Sequence, residues 1–504
     1  MFHFRCVNME ENIMKKKDKG LSAWQLTMMA LGSIIGGSFF LGSAVAVNAA
    51  GPAILISYIL GGFLVYFILY ALSEMTVANP DSGSFMTFAT QSFGPGTGFV
   101  VGWVYWIGMV LSMSSEATAV SILLNNWVPN ISIAIVGSSI IIGVTLLNLL
   151  GADKLSKLAS GLAAIKLLAI VSFIIIGLLL ITGIIPGRAV IGVGELVREP
   201  LMPGGISGIA GSMLIVVFAY AGFEIIGLAA SEADNPRETI PKAINYTVIS
   251  LVGFYILSII VLLPLISTGE LNESISPMVA ALNRWGITWA GSIINMVLVT
   301  AILSASLASM FGIARMLRSL ADEGHAPKWL KDKKDVPHKA IAFSGISMLL
   351  GLGFGLLFPR IYLFLISASG FALLFTYAVI MATHIRFRTR NGCSPDGKCQ
   401  MPGFPYMSWV GLISMIIIIL SMPLISGQTS GLISGFAMII ISSLIYAGMK
   451  VFNNFEKNKG TNIKINRKAH QSKLATEFSE ELTDISRGKE KNKSCKKECN
   501  CDKK

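Results

Sequence analysis

Long apolar runs alternate with short polar connections along the whole chain. Twelve runs stand out, at 22–47, 53–76, 97–126, 132–150, 156–182, 206–230, 242–266, 289–318, 340–358, 361–387, 407–426 and 430–452. Crossing a hydrocarbon core about 30 Å thick takes roughly 20 residues of helix, the length of these runs. They lack the strict polar–apolar alternation of barrel strands. The class is therefore an all-α integral membrane protein with twelve transmembrane helices. Most connections are short, so sequential helices are expected to run antiparallel. Two connections are longer. Residues 319–339 hold Asp322, Glu323, Lys328, Lys331, Lys333 and Lys334, and residues 183–205 are rich in Gly and Pro. Two intervening stretches, 83–93 and 276–287, are expected to form helices lying in the membrane interface.

Two runs carry an anomaly. The first reads LGSIIGGSFFLGS, with Gly32, Gly36, Gly37 and Gly42 around Ser33 and Ser38. The sixth reads VVFAYAGFEIIGLAASE, with Gly222 beside Glu224. Glycine costs about 1 kcal/mol against alanine inside a helix. Small residues also serve tight helix packing in lipid, and the first run alone favours that reading. A matched anomaly at the head of each block of five favours interruption instead. Broken helices at membrane depth survive only where they are buried or line a cavity. In a five-plus-five inverted repeat such breaks mark the substrate site.

Composition agrees with this picture. Residues are 53% hydrophobic and 13% charged, against roughly 25% charged in soluble domains. The formal charge of +12 raises the question of nucleic acid, and its distribution answers it. With the N-terminus inside, all but five of the 40 Lys and Arg fall on the cytoplasmic side. Arg188, Arg198, Arg284 and Arg360 fall outside, and Lys166 falls within a helix. That bias orients helical membrane proteins, so no nucleic-acid partner is expected. The first twenty residues are polar with no cleavage-type boundary after the first run, so both termini are expected in the cytoplasm. All six Cys map to that side, where thiols stay reduced, and no disulfide is expected. Cys495, Cys499 and Cys501 are too few for a structural metal site. There is no HExxH motif, and His3, His325, His338, His384 and His470 are scattered. Neither an enzyme nor a metal site is expected.

The run GSIIGGSFFLGS, the AGP at 50–52, Glu74-Met75, Pro80, Gly83-Ser84-Phe85, and Trp103, Tyr105, Trp106, Glu116, Thr118, Ala119 and Trp127 form one set. Glu232, Asn235-Pro236 and Ile240-Pro241 continue it, followed by Arg315-Met316-Leu317, Ala321 to Pro327 and His384 to Arg388. Their order and spacing from Trp24 to Arg388 resemble the amino acid–polyamine–organocation permeases, in particular their bacterial amino acid transporter branch. Gly37-Ser38 departs from the hydroxyl-then-glycine order of many relatives. The resemblance implies a LeuT-type fold: a ten-helix core at 21–388, made of repeats at 21–185 and 205–388, then two added helices at 389–452. A cytoplasmic segment at 1–20 and a basic, disordered tail at 453–504 complete the division. It also implies alternating access around a midplane site.

A zwitterionic amino acid needs donors for its carboxylate and acceptors for its ammonium. Exposed N–H groups at a half-helix N-terminus suit the first, here around Gly36, Gly37 and Ser38. Unwound carbonyls suit the second, from Ile34 and from Phe218, Ala219 and Ala221, beside Gly222. The resemblance makes Phe218 an aromatic lid. A lysine at mid-helix is costly to insert and titrates readily when buried. The resemblance puts Lys166 where sodium-coupled relatives hold sodium, as a proton-coupling residue; a structural cation or a lysine snorkelling to the interface are the alternatives. Glu224 at the sixth break is expected to gate, to sense protons or to satisfy freed backbone. Glu116, placed by depth toward the outer half, is a further coupling candidate. Glu74 is expected to stabilise the cytoplasmic end of its helix. The expected activity is L-amino acid import by proton symport, powered by the proton gradient with no cofactor. An exchanger, an uncoupled facilitator and a permease-like sensor remain open. The expected partners are a small amino acid and the lipid bilayer; which amino acid, and the oligomeric state, are not given.

Overall fold

The structure is a computed structural model and describes residues 21–78, 84–125, 127–150, 152–184, 190–224, 226, 233–331, 336–393 and 401–458. Every one of the twelve apolar runs forms helix. The first is α1 (Ala23–Ile34), a π-helical turn (Ser38–Gly42) and α2 (Ser43–Ala50). Then follow α3 (Ile54–Ala78), α4 (Ser84–Phe93), α5 (Pro95–Asn125), α6 (Ile133–Asn148) and α7 (Ala152–Thr182). The second half holds α8 (Gly205–Ala219), α9 (Pro236–Leu265), α10 (Pro277–Arg284), α11 (Thr288–Asp322), α12 (His338–Gly355) and α13 (Ile361–Asn391). Two more helices, α14 (Tyr406–Ser421) and α15 (Thr429–Asn458), close the chain. The short helices α4 and α10 fall in the two stretches expected to be helical between spans.

Local chemistry explains the ends. Ser22 caps α1 in a reciprocal box with Gln25, satisfying two N–H groups that a helix start leaves unpaired. Pro236 opens α9 after Asn235, which adopts φ 45°, a position where a missing N–H costs nothing. Leu21 pairs with Ala233, and Asp234 N–H donates to Leu21 O at 3.0 Å. The start of the first run is thereby tied to the segment after the sixth.

Contacts divide the chain into Met1–Leu444 and Ile445–Lys504. Within the first unit, α5 is the central post, packed by α13, α11, α4, α6 and α12. The most apolar stretches of α13 and α5 are 83% and 78% buried, against 33% for α14 and for the Ala164–Thr182 part of α7. The first pair makes the protein core and the second faces lipid. The second unit contains the last turns of α15, and residues after 458, with Cys495, Cys499 and Cys501, lie outside the described residues.

Of the four arginines expected outside, the three among the described residues pair with acids. Arg284 pairs with Glu270 (2.5 Å) and Glu195 (2.8 Å), Arg198 with Glu195, and Arg360 with Glu273; Arg188 lies outside the described residues. Toward the other end, Arg388 lies 3.3 Å from Glu74, whose carboxylate also accepts from Met401 N–H. Glu74 thus joins the end of α3 to α13 and to the segment before α14. One expectation is corrected: Cys393 is disulfide-bonded, its partner lying outside the described residues. The compartment argument addressed redox conditions and carried no information on which sulfurs the turn after α13 brings together.

Candidate functional site

Helix α1 stops at Ile34 because Ile35 turns to extended backbone, φ −72° and ψ 102°. Helical backbone resumes at Gly37. The interruption leaves carbonyls at the end of α1 and N–H groups at the start of the second half. Side chains from two neighbouring helices satisfy them. Lys166, fully buried in α7, donates to Gly32 O at 2.5 Å and Ile35 O at 3.1 Å. Glu116, buried in α5, accepts from Gly37 N–H at 2.8 Å. A cation meets the C-terminal end of one half-helix and an anion the N-terminal end of the other, the arrangement the helix dipole favours. The two groups thus face one gap from different helices. Glu116 thus lies against the break itself. Tyr362 donates to Gly37 O at 3.0 Å.

The glycines are needed for this contact. A Cβ on Gly36 would sit 2.9 Å from Glu116 Oε1, and one on Gly37 would sit 2.9 Å from Oε2. The pair of glycines forms a shallow seat on which a carboxylate lies. Ser38 follows, buried in the π-helical turn.

The sixth run breaks after Ala219, and residues 220–224 form turns. Gly222 adopts φ 106°, which side-chain-bearing residues rarely take. Its N–H donates to Glu224 Oε2 at 2.8 Å, and Tyr377 donates to Glu224 Oε1 at 2.7 Å. Tyr255 donates to Ala219 O at 2.9 Å, and Phe218 O accepts from Ala221 N–H at 3.0 Å. The two breaks touch. Ser33 donates to Gly222 O at 3.1 Å, and a Cβ on Gly222 would lie 3.3 Å from Ile34 Cα.

All eleven residues singled out from the sequence lie at or beside these two interruptions. Ile34, Gly36, Gly37 and Ser38 line the first, with Lys166 and Glu116 bonded to its backbone. Phe218, Ala219, Ala221, Gly222 and Glu224 line the second. Phe218 is buried, at 4% exposure. Sequence reasoning passed over the tyrosines. Phe39 stacks on Tyr255 at 3.8 Å, and Tyr58 and Tyr220 pack edge-on beside them. Tyr255, Tyr362 and Tyr377 close backbone or carboxylate acceptors at the breaks. The available signal was a tyrosine at mid-span, whose hydroxyl must find a partner when buried.

The amino acid permease family matches residues 25–464. A gamma-aminobutyric acid permease of Bacillus subtilis is 31% identical over 466 residues, covering 90% of this chain and 98% of its own. A gamma-aminobutyric acid permease of Escherichia coli is 32% identical, covering 80% of this chain and 88% of its own. The amino-acid permease AapA of Bacillus subtilis is also 32% identical, covering 81% and 90%. Among solved structures, a point mutant of the manganese transporter of Eremococcus coleocola superposes with a TM-score of 0.52 at 13% identity. That alignment covers 88% of this chain and 97% of the other. The shared architecture is the LeuT-type one: two five-helix repeats with interrupted first helices, followed by two further helices.

Proposed function

The chain belongs to the amino acid permease family, and from that premise we propose that it imports small zwitterionic amino acids by proton symport with alternating access. The observation that carries this reading is the paired interruption. It offers N–H groups to a carboxylate at Gly36, Gly37 and Ser38, and carbonyls to an ammonium at Ile34 and Ala221. Phe218, beside the second break, is the lid over bound substrate. The basic segments at both ends of the chain are read as cytoplasmic.

Lys166 is the coupling residue of this reading. Its ammonium holds the last carbonyls of α1, so gain or loss of its proton makes or breaks a tie between α7 and the first break. Glu224, between Gly222 N–H and Tyr377, gates the second. The test uses proteoliposomes, an inward proton gradient, and labelled uptake across the common amino acids. Wild type is expected to concentrate substrate. Lys166→Ala is expected to lose gradient-driven accumulation while retaining counterflow. Gradient-driven uptake that survives Lys166→Ala intact removes the coupling role.

A second reading is an exchanger that uses no ion. It is favoured by the fact that both Lys166 bonds end on backbone carbonyls, as a fixed structural cation's would. Counterflow without accumulation in wild type selects it.

A further inference from the structure

We infer that Glu116 is an internal stand-in for the substrate's carboxylate, and that the two take turns on the same seat. The inference rests on the transport reading above and adds how the cargo gains the site: its carboxylate displaces that of Glu116.

Three observations support it. The first is occupancy. Gly37 N–H, at the start of the second half-helix, is the donor a substrate carboxylate would use, and Glu116 Oε2 already accepts it at 2.8 Å. The second is shape. Oε1 of Glu116 lies 2.9 Å from where a Cβ on Gly36 would stand, and Oε2 lies 2.9 Å from where one on Gly37 would stand. The absence of side chains at Gly36 and Gly37 is therefore what lets a carboxylate approach this backbone. The third is charge. Lys166 is buried at the other end of the same break, at 0% exposure, bonded to Gly32 O and Ile35 O. A buried cation left without an anion is strongly unfavourable. While Lys166 is protonated, one carboxylate, either Glu116 or the substrate's, thus faces its side of the break.

The consequence is a site that selects by exchange. An incoming carboxylate replaces a charge-assisted hydrogen bond with another of the same kind, so Gly37 N–H is never left bare. An ester or amide carbonyl could accept from Gly37 N–H, but it brings no anion, and an amine brings neither, so each leaves the Lys166 charge unbalanced when Glu116 turns aside. Two anions cannot share the seat, so Glu116 must turn aside when substrate binds. Its position on α5, the helix against which α13 and α11 pack, would pass that movement to the helices around it.

The experiment measures binding by calorimetry to purified full-length protein, wild type and Glu116→Gln. The ligands are the amino acid that binds wild type best among the twenty and its methyl ester. In Glu116→Gln the competing charge is gone while size and packing are kept. The ratio of ester Kd to amino acid Kd is expected to rise by about fivefold or more, chiefly because the amino acid binds more tightly. A ratio that stays level or falls overturns the inference. Infrared difference spectra of wild type give a second readout that needs no variant. Adding substrate labelled with carbon-13 at its carboxyl is expected to shift an unlabelled protein carboxylate band, and an unmoved band counts against the exchange. Failure of every amino acid to bind wild type is a different result: it sinks the transport reading, and this inference with it.

Discussion

The two interruptions solve one problem in different ways. At the first, the freed backbone is met by full charges delivered from other helices, Lys166 on α7 and Glu116 on α5. At the second it is met by the neutral hydroxyl of Tyr255 and by Glu224 from the turn itself, which the Tyr377 hydroxyl holds in place. Charged groups borrowed from neighbours tie the local geometry to the charge state of distant helices. Neutral donors and a carboxylate two residues away hold a bend whatever the surroundings do. On the transport reading, the first break is therefore the more sensitive to charge on neighbouring helices, while the second is the more firmly tied and depends on Glu224 for any gating.

The largest effect should come from unbalancing the first break. Lys166→Met keeps the length of the side chain and removes its charge. It leaves Glu116 buried with no opposing cation and strips Gly32 O and Ile35 O of their donor. Breaking a buried pair from one side costs about 3–5 kcal/mol, while removing both charges is often close to neutral. Reversible unfolding in mixed micelles should show Lys166→Met strongly destabilised and the double variant Lys166→Met/Glu116→Gln substantially restored. If the second substitution restores nothing, the two charges do not act as a unit and the contrast between the breaks loses its basis.

The second break should fail through backbone strain instead. Gly222 holds φ 106° with Ile34 and Ser33 backbone 3.3 Å from where a Cβ would stand. Gly222→Ala forces a side chain into a conformation that costs about 1–3 kcal/mol and presses on the first break at once. The expected outcome in the same unfolding assay is an intermediate loss of stability, with transport reduced in proportion to folded protein. A loss that leaves stability untouched but abolishes transport would instead make Gly222 a moving part.

The helices were legible because apolar length is a direct consequence of bilayer thickness, and it survives without any knowledge of packing. The break at Gly36 and Gly37 was legible because adjacent glycines at membrane depth demand a reason. Lys166 was legible for the same reason. What the sequence withheld was pairing. Nothing in the spacing of Gly37, Glu116 and Lys166, 79 and 50 residues apart, shows that α5 and α7 bring two opposite charges to one gap. The tyrosines were missed on similar grounds, because Tyr255 and Tyr377 sit in runs whose apolarity already accounts for them. The Cys393 disulfide was misjudged because compartment speaks to chemistry and only the chain's path decides proximity.

The smallest and most discriminating change is Tyr255→Phe. It keeps the ring that stacks on Phe39 at 3.8 Å and deletes only the hydroxyl that donates to Ala219 O at 2.9 Å. A neutral hydrogen bond of this kind contributes about 0.5–1.5 kcal/mol. Ala219 O then becomes a bare acceptor at the end of α8, beside the carbonyls assigned to the substrate's ammonium. Two consequences pull in opposite directions. Stability should fall by about 1 kcal/mol, and the freed carbonyl should be available to an ammonium, so amino acid affinity in the calorimetric assay should hold or improve. A static second break predicts this decoupling: the bend persists with one tie fewer. If Tyr255→Phe instead collapses transport while the protein stays folded, the second break depends on that hydroxyl during the cycle and is as responsive as the first.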